Sequence, residues 1–174
     1  MPEDSANIAG IVLAGGQSSR MGRNKALLDY QGRPLLDHMI DLMQQSGVKK
    51  IYVSGDIEGY HCIPDSAPFA GPAAAIRDVL GQLAGYDGIL FQPVDMPFME
   101  PEILRLLLRH DGGAHYHGWP LPLYLNKAVT PGDGSSVRQM IADMNLAILP
   151  VPEEAQACFA NLNTPEEWKE AVRR

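Results

Sequence analysis

Short apolar runs alternate with amphipathic helical segments through the first half of the chain, and that alternation leaves one broad architecture open. Ile8–Leu13 reads as a buried strand. Leu35–Gln45 carries apolar residues at Leu35, Leu36, Met39, Ile40 and Met43, the recurrence of an amphipathic helix. Pro34 stands at its first turn, where a missing amide hydrogen does no harm, and Gly47 ends it. Lys49–Ser54 supplies a second strand and Pro72–Leu83 a second helix, with Ala74, Ala75, Val79 and Leu83 expected on its buried side. Gly88–Val94 is short and largely apolar, as strands are in a parallel sheet covered on both faces. Glu100–Arg109 follows as a helix. The order β-α-β-α-β-α implies right-handed crossovers and an open α/β sheet.

The second half is less regular. Ala114–His117 and Leu121–Leu125 read as short strands around a Gly118-Trp119-Pro120 turn, Ser135–Met144 as a helix and Ala147–Val151 as a strand. Thr164–Val172 closes the chain as a helix, with Thr164 as its cap, Glu167 three residues later and Pro165 at its first position. No repeat or low-complexity linker interrupts the 174 residues, a length that suits one domain, 1–174, with a sizeable core.

Composition narrows the partners. A formal charge of −7 argues against general binding to nucleic acid or an anionic membrane, so any phosphate site must be a local basic island. Met1–Ser5 has neither the basic nor the apolar region of a secretory leader, and no apolar run approaches the roughly 20 residues of a membrane helix. Cys62 and Cys158 are isolated and match no metal spacing, which suggests reduced thiols in a cytoplasmic protein.

The island follows the first strand. In Leu13-Ala14-Gly15-Gly16-Gln17-Ser18-Ser19-Arg20-Met21-Gly22-Arg23-Asn24-Lys25, two glycines let the backbone approach a ligand where a side chain would clash. Arg20, Arg23 and Lys25 then bring positive charge, a combination suited to a nucleoside triphosphate. The Walker pattern is excluded because two residues separate Gly22 from Lys25, and the G-x-G-x-x-G fingerprint because Gly15 and Gly16 are adjacent. Asp95, in Pro93-Val94-Asp95-Met96-Pro97-Phe98, is either a metal ligand or a turn cap. Its place after a core strand, in a chain that carries the glycine loop, favours the ligand. If the two strands are neighbours, a carboxylate faces a phosphate loop, as a magnesium–nucleotide site requires.

Other candidates keep two readings each. Asp65, before Gly71-Pro72, faces a ligand or serves its own turn. Asn161 and Asn163 hold a polar substrate or cap the last helix. His115 and His117 form a His-x-His pair without a second ligand cluster at zinc spacing, which favours ordinary loop histidines.

The string Leu13-Ala14-Gly15-Gly16-x-Ser18-x-Arg20-Met21-Gly22-x-x-Lys25 resembles the signature of the molybdenum cofactor guanylyltransferases, the MobA-type branch of the nucleotidyltransferases. Further segments fall in the family's order: Gly32-Arg33-Pro34-Leu35, Asp65-Ser66 with Gly71-Pro72, Pro93–Phe98, Pro120–Tyr124 and Asn161–Glu167. The resemblance implies a Rossmann-like sheet with helices on both faces, like that of nucleotide-diphospho-sugar transferases. It implies transfer of GMP from GTP to the molybdopterin cofactor, with Mg²⁺ and release of pyrophosphate. It also implies roles. Leu13, Ala14, Gly15 and Gly16 would meet the nucleotide through backbone. Lys25 would bind phosphates, Asp65 the nucleotide, and Asp95 both GTP and metal. Arg20 would join Lys25 and Asp95 in catalysis, and Asn161 and Asn163 would face the pterin. Cofactor-synthesis proteins and molybdoenzyme chaperones would be further partners.

The chain departs from the family's usual residues at Ala75, where a glycine is common, at Asn24, often aspartate, and at Ser54, asparagine in some members. A cytidylyltransferase is the nearest alternative, but such relatives usually read Leu-Ala-Ala-Gly where Leu13-Ala14-Gly15-Gly16 stands. A GTP-binding protein without catalysis, which regulates or delivers the cofactor, is the other.

Overall fold

A computed structural model describes residues 6–15, 24–64, 66 and 70–173. In chain order the elements are β1 (Ile8–Leu13), β2 (Asp29–Tyr30), β3 (Arg33–Pro34), α1 (Leu35–Gln45), β4 (Lys50–Ser54), β5 (Cys62–Ile63), α2 (Pro72–Gln82) and β6 (Gly88–Pro93). They continue with α3 (Pro101–Leu107), β7 (Gly113–Tyr116), β8 (Trp119–Asn126), α4 (Val137–Ile141), β9 (Ala147–Leu149) and α5 (Pro165–Val172). Short 3-10 segments lie at Lys25–Leu27 and Glu153–Phe159.

Seven strands form one sheet in the order β5-β4-β1-β6-β8-β7-β9. β4 and β6 flank β1 in parallel, and Leu13 lies opposite both Ser54 and Pro93. β5 extends the parallel part beyond β4. β8 runs antiparallel to β6 and β7, and β9 returns parallel to β7. The chain thus adopts the expected α/β class with a mostly parallel sheet.

Alternate strand residues point to opposite faces, and both faces are covered. On one side Val12, Leu90 and Tyr124 pack with Leu36, Met39 and Met43 of α1, with Leu104 of α3 and with Phe159. On the other, Ile11, Phe91 and Leu125 pack with Ile76 and Val79 of α2 and with Val137 and Met140 of α4. Helix α1 lies close on β1: a Cβ at Gly10 would fall 2.7 Å from Met43 Cε and 3.1 Å from Val48 Cγ1. The buried side of α2 differs from the expected one. Ala73, Ala75, Ile76 and Val79 are buried, while Ala74 and Leu83 are only half-buried.

Candidate active site

From β1 the chain moves outward through β4 to β5, then crosses back to β6 on the other side of β1. The order of strands therefore reverses between β1 and β6, where α/β sheets leave a crevice beyond their carboxyl ends. Ala14 and Gly15, which follow Leu13, and Asp95, which follows Pro93 and Val94, lie there. The two strand ends are joined by Val94 N, which donates to the Leu13 carbonyl at 3.2 Å.

Gly15 leaves β1 beside Gly55, the residue that follows β4. Gly55 has φ +122°, and a Cβ on it would stand 3.5 Å from Gly15 Cα. That left-handed conformation suits glycine and brings two backbones together without side chains between them. The signal was present in the sequence as a second glycine directly after a strand.

Lys25 is placed by a local cap. Asn24 Oδ1 accepts from Ala26 N at 3.1 Å, and Leu27 N donates to the Asn24 carbonyl at 3.0 Å. Aspartate, which the resemblance leads one to expect at this position, accepts in the same way, so Asn24 supplies the same cap. From this turn Lys25 Nζ lies 3.6 Å from Asp95 Oδ2 and donates to Asn163 Oδ1 at 3.1 Å. The Lys25 and Asp95 side chains are 15% and 26% exposed, so the pair is sheltered yet reachable by a ligand. The Asp95 carbonyl in turn accepts from Leu162 N at 2.9 Å. Three distant segments thus meet: the turn after the glycine loop, the end of β6, and the extended stretch before α5.

The two asparagines occupy different surroundings. Asn163 is exposed, whereas Asn161 Oδ1 is buried and has no hydrogen-bond partner among the described residues. Thr164 caps α5, accepting from Glu167 N, and Glu167 Oε2 accepts from Thr164 N at 3.0 Å and from Asn163 N. These bonds, with the Lys25 charge acting in the same direction, hold the Glu167 carboxyl below its ordinary range. Asn163 therefore uses its backbone to complete the cap and its side chain to meet Lys25.

Gly16, Arg20 and Asp65 lie outside the described residues. Next to Asp65, Ser66 donates from its backbone to Asp78 of α2 at 2.8 Å. The Ser66 hydroxyl bond, followed by the backbone bond, lowers the Asp78 carboxyl pKa. His115 lies in β7 itself and not in a loop, with its Nδ1 3.0 Å from the Tyr116 carbonyl and 3.2 Å from that of Trp119, whereas His117 stands in the turn between β7 and β8. A cavity of about 330 Å³, lined by Arg77, Leu83, Tyr86, Gly88 and Lys127 among others, lies at the amino end of β6, away from the crevice. No helix among the described residues is long and apolar enough to cross a membrane.

Comparison with known proteins agrees with this fold. Residues 10–131 match the family described as MobA-like NTP transferase domain, a span that contains Leu13, Lys25 and Asp95. A molybdenum cofactor guanylyltransferase from Xanthomonas euvesicatoria pv. vesicatoria (strain 85-10) is 34% identical, over 94% of this chain and 93% of its own length. Another from Rhodobacter capsulatus is 32% identical over 96% of each. The crystal structure of molybdopterin-guanine dinucleotide biosynthesis protein A from Archaeoglobus fulgidus matches with a TM-score of 0.70 at 21% identity, covering 95% of this chain and 97% of that one. Matched over residues 10–131 and alike over nearly its whole length to these relatives, the chain belongs to the MobA-like NTP transferase domain family.

Proposed function

We propose that the chain transfers GMP from GTP to the molybdopterin cofactor, forming the guanine dinucleotide and pyrophosphate. The observation that carries this reading is the convergence of Lys25, Asp95 and Asn163 beyond β1 and β6. The names of the Xanthomonas and Rhodobacter relatives support the choice of substrates. We read the whole chain as one catalytic unit, with the glycine-loop half on the nucleotide and the Asn161–Asn163 segment on the pterin. The free thiols of Cys62 and Cys158 suit a reducing, cytoplasmic setting.

In the reaction a terminal phosphate oxygen of the pterin attacks the α-phosphorus of GTP. A P–O bond forms there while the bond to the β-phosphate breaks, and pyrophosphate leaves with the bonding pair. The nucleophile is already anionic near neutral pH, so no strong general base is needed. Backbone at Leu13, Ala14, Gly15 and Gly16 would cradle the nucleotide without intruding side chains, and Asp65 would contact it. Lys25 and Arg20 would stabilise charge on the phosphates, and Asn161 and Asn163 would orient the acceptor.

Asp95 fits a hard divalent cation. Its oxygens are charged, sheltered and still partly exposed, and Mg²⁺ commonly takes one or two carboxylates and completes its shell with phosphate and water. Bound there with the triphosphate, Mg²⁺ would supply neutralisation of charge on the phosphoryl oxygens and the departing pyrophosphate.

Pyrophosphate release in the presence of GTP, Mg²⁺ and the molybdenum-loaded pterin cofactor tests the reading. Release with GTP and none with CTP is expected. Release with CTP alone would make the protein a cytidylyltransferase, and GTP binding without release would make it a non-catalytic carrier or regulator.

A further inference from the structure

The turn that presents Asp95 is held at both ends by side chains outside the roles given above. Prolines at positions 93 and 97 lack amide hydrogens, so the turn from Pro93 to Pro97 is short of backbone donors. Side-chain donors onto the carbonyls of those same prolines complete it. At the start, Gln92 Nε2 donates to the Pro93 carbonyl at 3.1 Å. Gln92 is fully buried on the Leu90 side of β6, and its Oε1 has no partner among the described residues. Burying an unmet acceptor is unfavourable, and an apolar side chain of similar size would avoid it. What the amide adds at that position is the donor.

At the far end, His38 Nε2 stands 2.8 Å from the Pro97 carbonyl. A carbonyl only accepts, so Nε2 carries the hydrogen. His38 projects from α1, and its ring packs on Tyr30 with centroids 4.6 Å apart. Tyr30 is buried and also meets Trp168 of α5 at 6.0 Å. The imidazole therefore bears on the turn from a platform shared by β2, α1 and α5.

We propose that His38 and Gln92 are positioning residues for Asp95, clasping the Pro93–Pro97 turn so that the carboxylate faces Lys25 and the nucleotide. The inference rests on the reading of Asp95 given under the proposed function. His38→Phe keeps a ring against Tyr30 and removes the donor, His38→Gln keeps a donor, and Gln92→Leu removes the buried amide. The full-length variants are compared by pyrophosphate release as Mg²⁺ is titrated and by hydrogen exchange of the amides from 94 to 99. Supporting groups one step removed from a metal ligand commonly matter by 10–100-fold. His38→Phe and Gln92→Leu should accordingly raise the half-saturating Mg²⁺ concentration about tenfold and lower kcat about tenfold, with KM for the pterin unchanged. Exchange should quicken in that segment while β1 and β4 keep their protection, and His38→Gln should restore both readouts to within about threefold. Unchanged exchange in the Phe and Leu variants would overturn the proposal. So would equal losses in Phe and Gln, or exchange rising throughout the chain, because the residues would then support the fold and not the turn. Wild-type protein that releases no pyrophosphate would refute the enzyme reading, while the exchange data would still decide whether the clasp exists.

Discussion

Among the contacts of Lys25 are two oxygens of different kinds, the Asp95 carboxylate at 3.6 Å and the Asn163 amide at 3.1 Å. A partly exposed ion pair of this sort contributes on the order of 0–1 kcal/mol to stability, so its removal should be felt in chemistry more than in folding. Lys25→Ala is expected to lower kcat about 100-fold or more, as loss of a preorganised charge-stabilising group does, and to shift the thermal midpoint by only a few degrees. An activity assay beside a melting curve separates the two effects. Asp95→Asn keeps the side chain's size and the Leu162 N to Asp95 carbonyl bond while it removes the charge. Pyrophosphate release should fall to background and no longer rise with added Mg²⁺; a variant with the wild-type Mg²⁺ curve would remove Asp95 from the metal site. Asp95 was legible as a carboxylate after a core strand, and Lys25 as a cation of the stretch that follows the glycine pair. The reach of Asn163 to Lys25 across 138 positions was not, because it depends on the path by which the chain enters α5.

That path is set by an element whose local signals were complete. Thr164, Pro165 and Glu167 mark the start of α5 in the sequence, and the structure has the reciprocal capping box they imply. Loss of such a cap typically costs about 1 kcal/mol, so Thr164→Ala should lower stability to denaturant by that amount. It should also weaken activity through displacement of Asn163. The Glu167 carboxyl adds a pH dependence. Its pKa is lowered in the folded protein from an ordinary 4.5 by the amides of Asn163 and Thr164. The charged form is therefore favoured by folding, and its stabilisation is full above that ordinary value and lost as pH falls through the lower folded one. The stability difference between wild type and Glu167→Gln should shrink across that acidic window and stay constant near neutrality. A difference that grows on acidification would contradict the assignment. Elsewhere the long elements were read to within a few residues, because apolar periodicity specifies them. The two-residue strand β5 was missed, and so were β2 and β3. Their turn at Gln31 and Gly32, with φ of 55° and 85°, bears the two positive φ values of a tight hairpin, yet strands this short leave no periodicity to count. The 3-10 segment Glu153–Phe159 was missed as well, since its buried Ala155, Cys158 and Phe159 repeat over too short a stretch.

At the scale of the molecule, the order of the sheet decides which of these residues meet. The alternation of strand and helix specified a parallel sheet covered on two faces, but strand order is a long-range property that local patterns do not encode. Only the return of β6 to the free side of β1 brings Asp95 to the end of β1, where Gly15 follows. A ligand held across that crevice is bound by several segments at once and exists only on the folded chain, so binding must raise global stability by mass action. At 100 times its dissociation constant a ligand adds about 2.7 kcal/mol, which for a chain of this length is roughly 5–10 °C in melting temperature. GTP with Mg²⁺ should give a shift of that size and CTP a much smaller one. The discrimination should survive in Lys25→Ala with a reduced shift for both nucleotides, because phosphate contacts add affinity without distinguishing bases. Equal shifts from GTP and CTP in the wild type would mean that the crevice holds a triphosphate without selecting guanine, and the purine-specific reaction would have to be abandoned while the fold and the family stood.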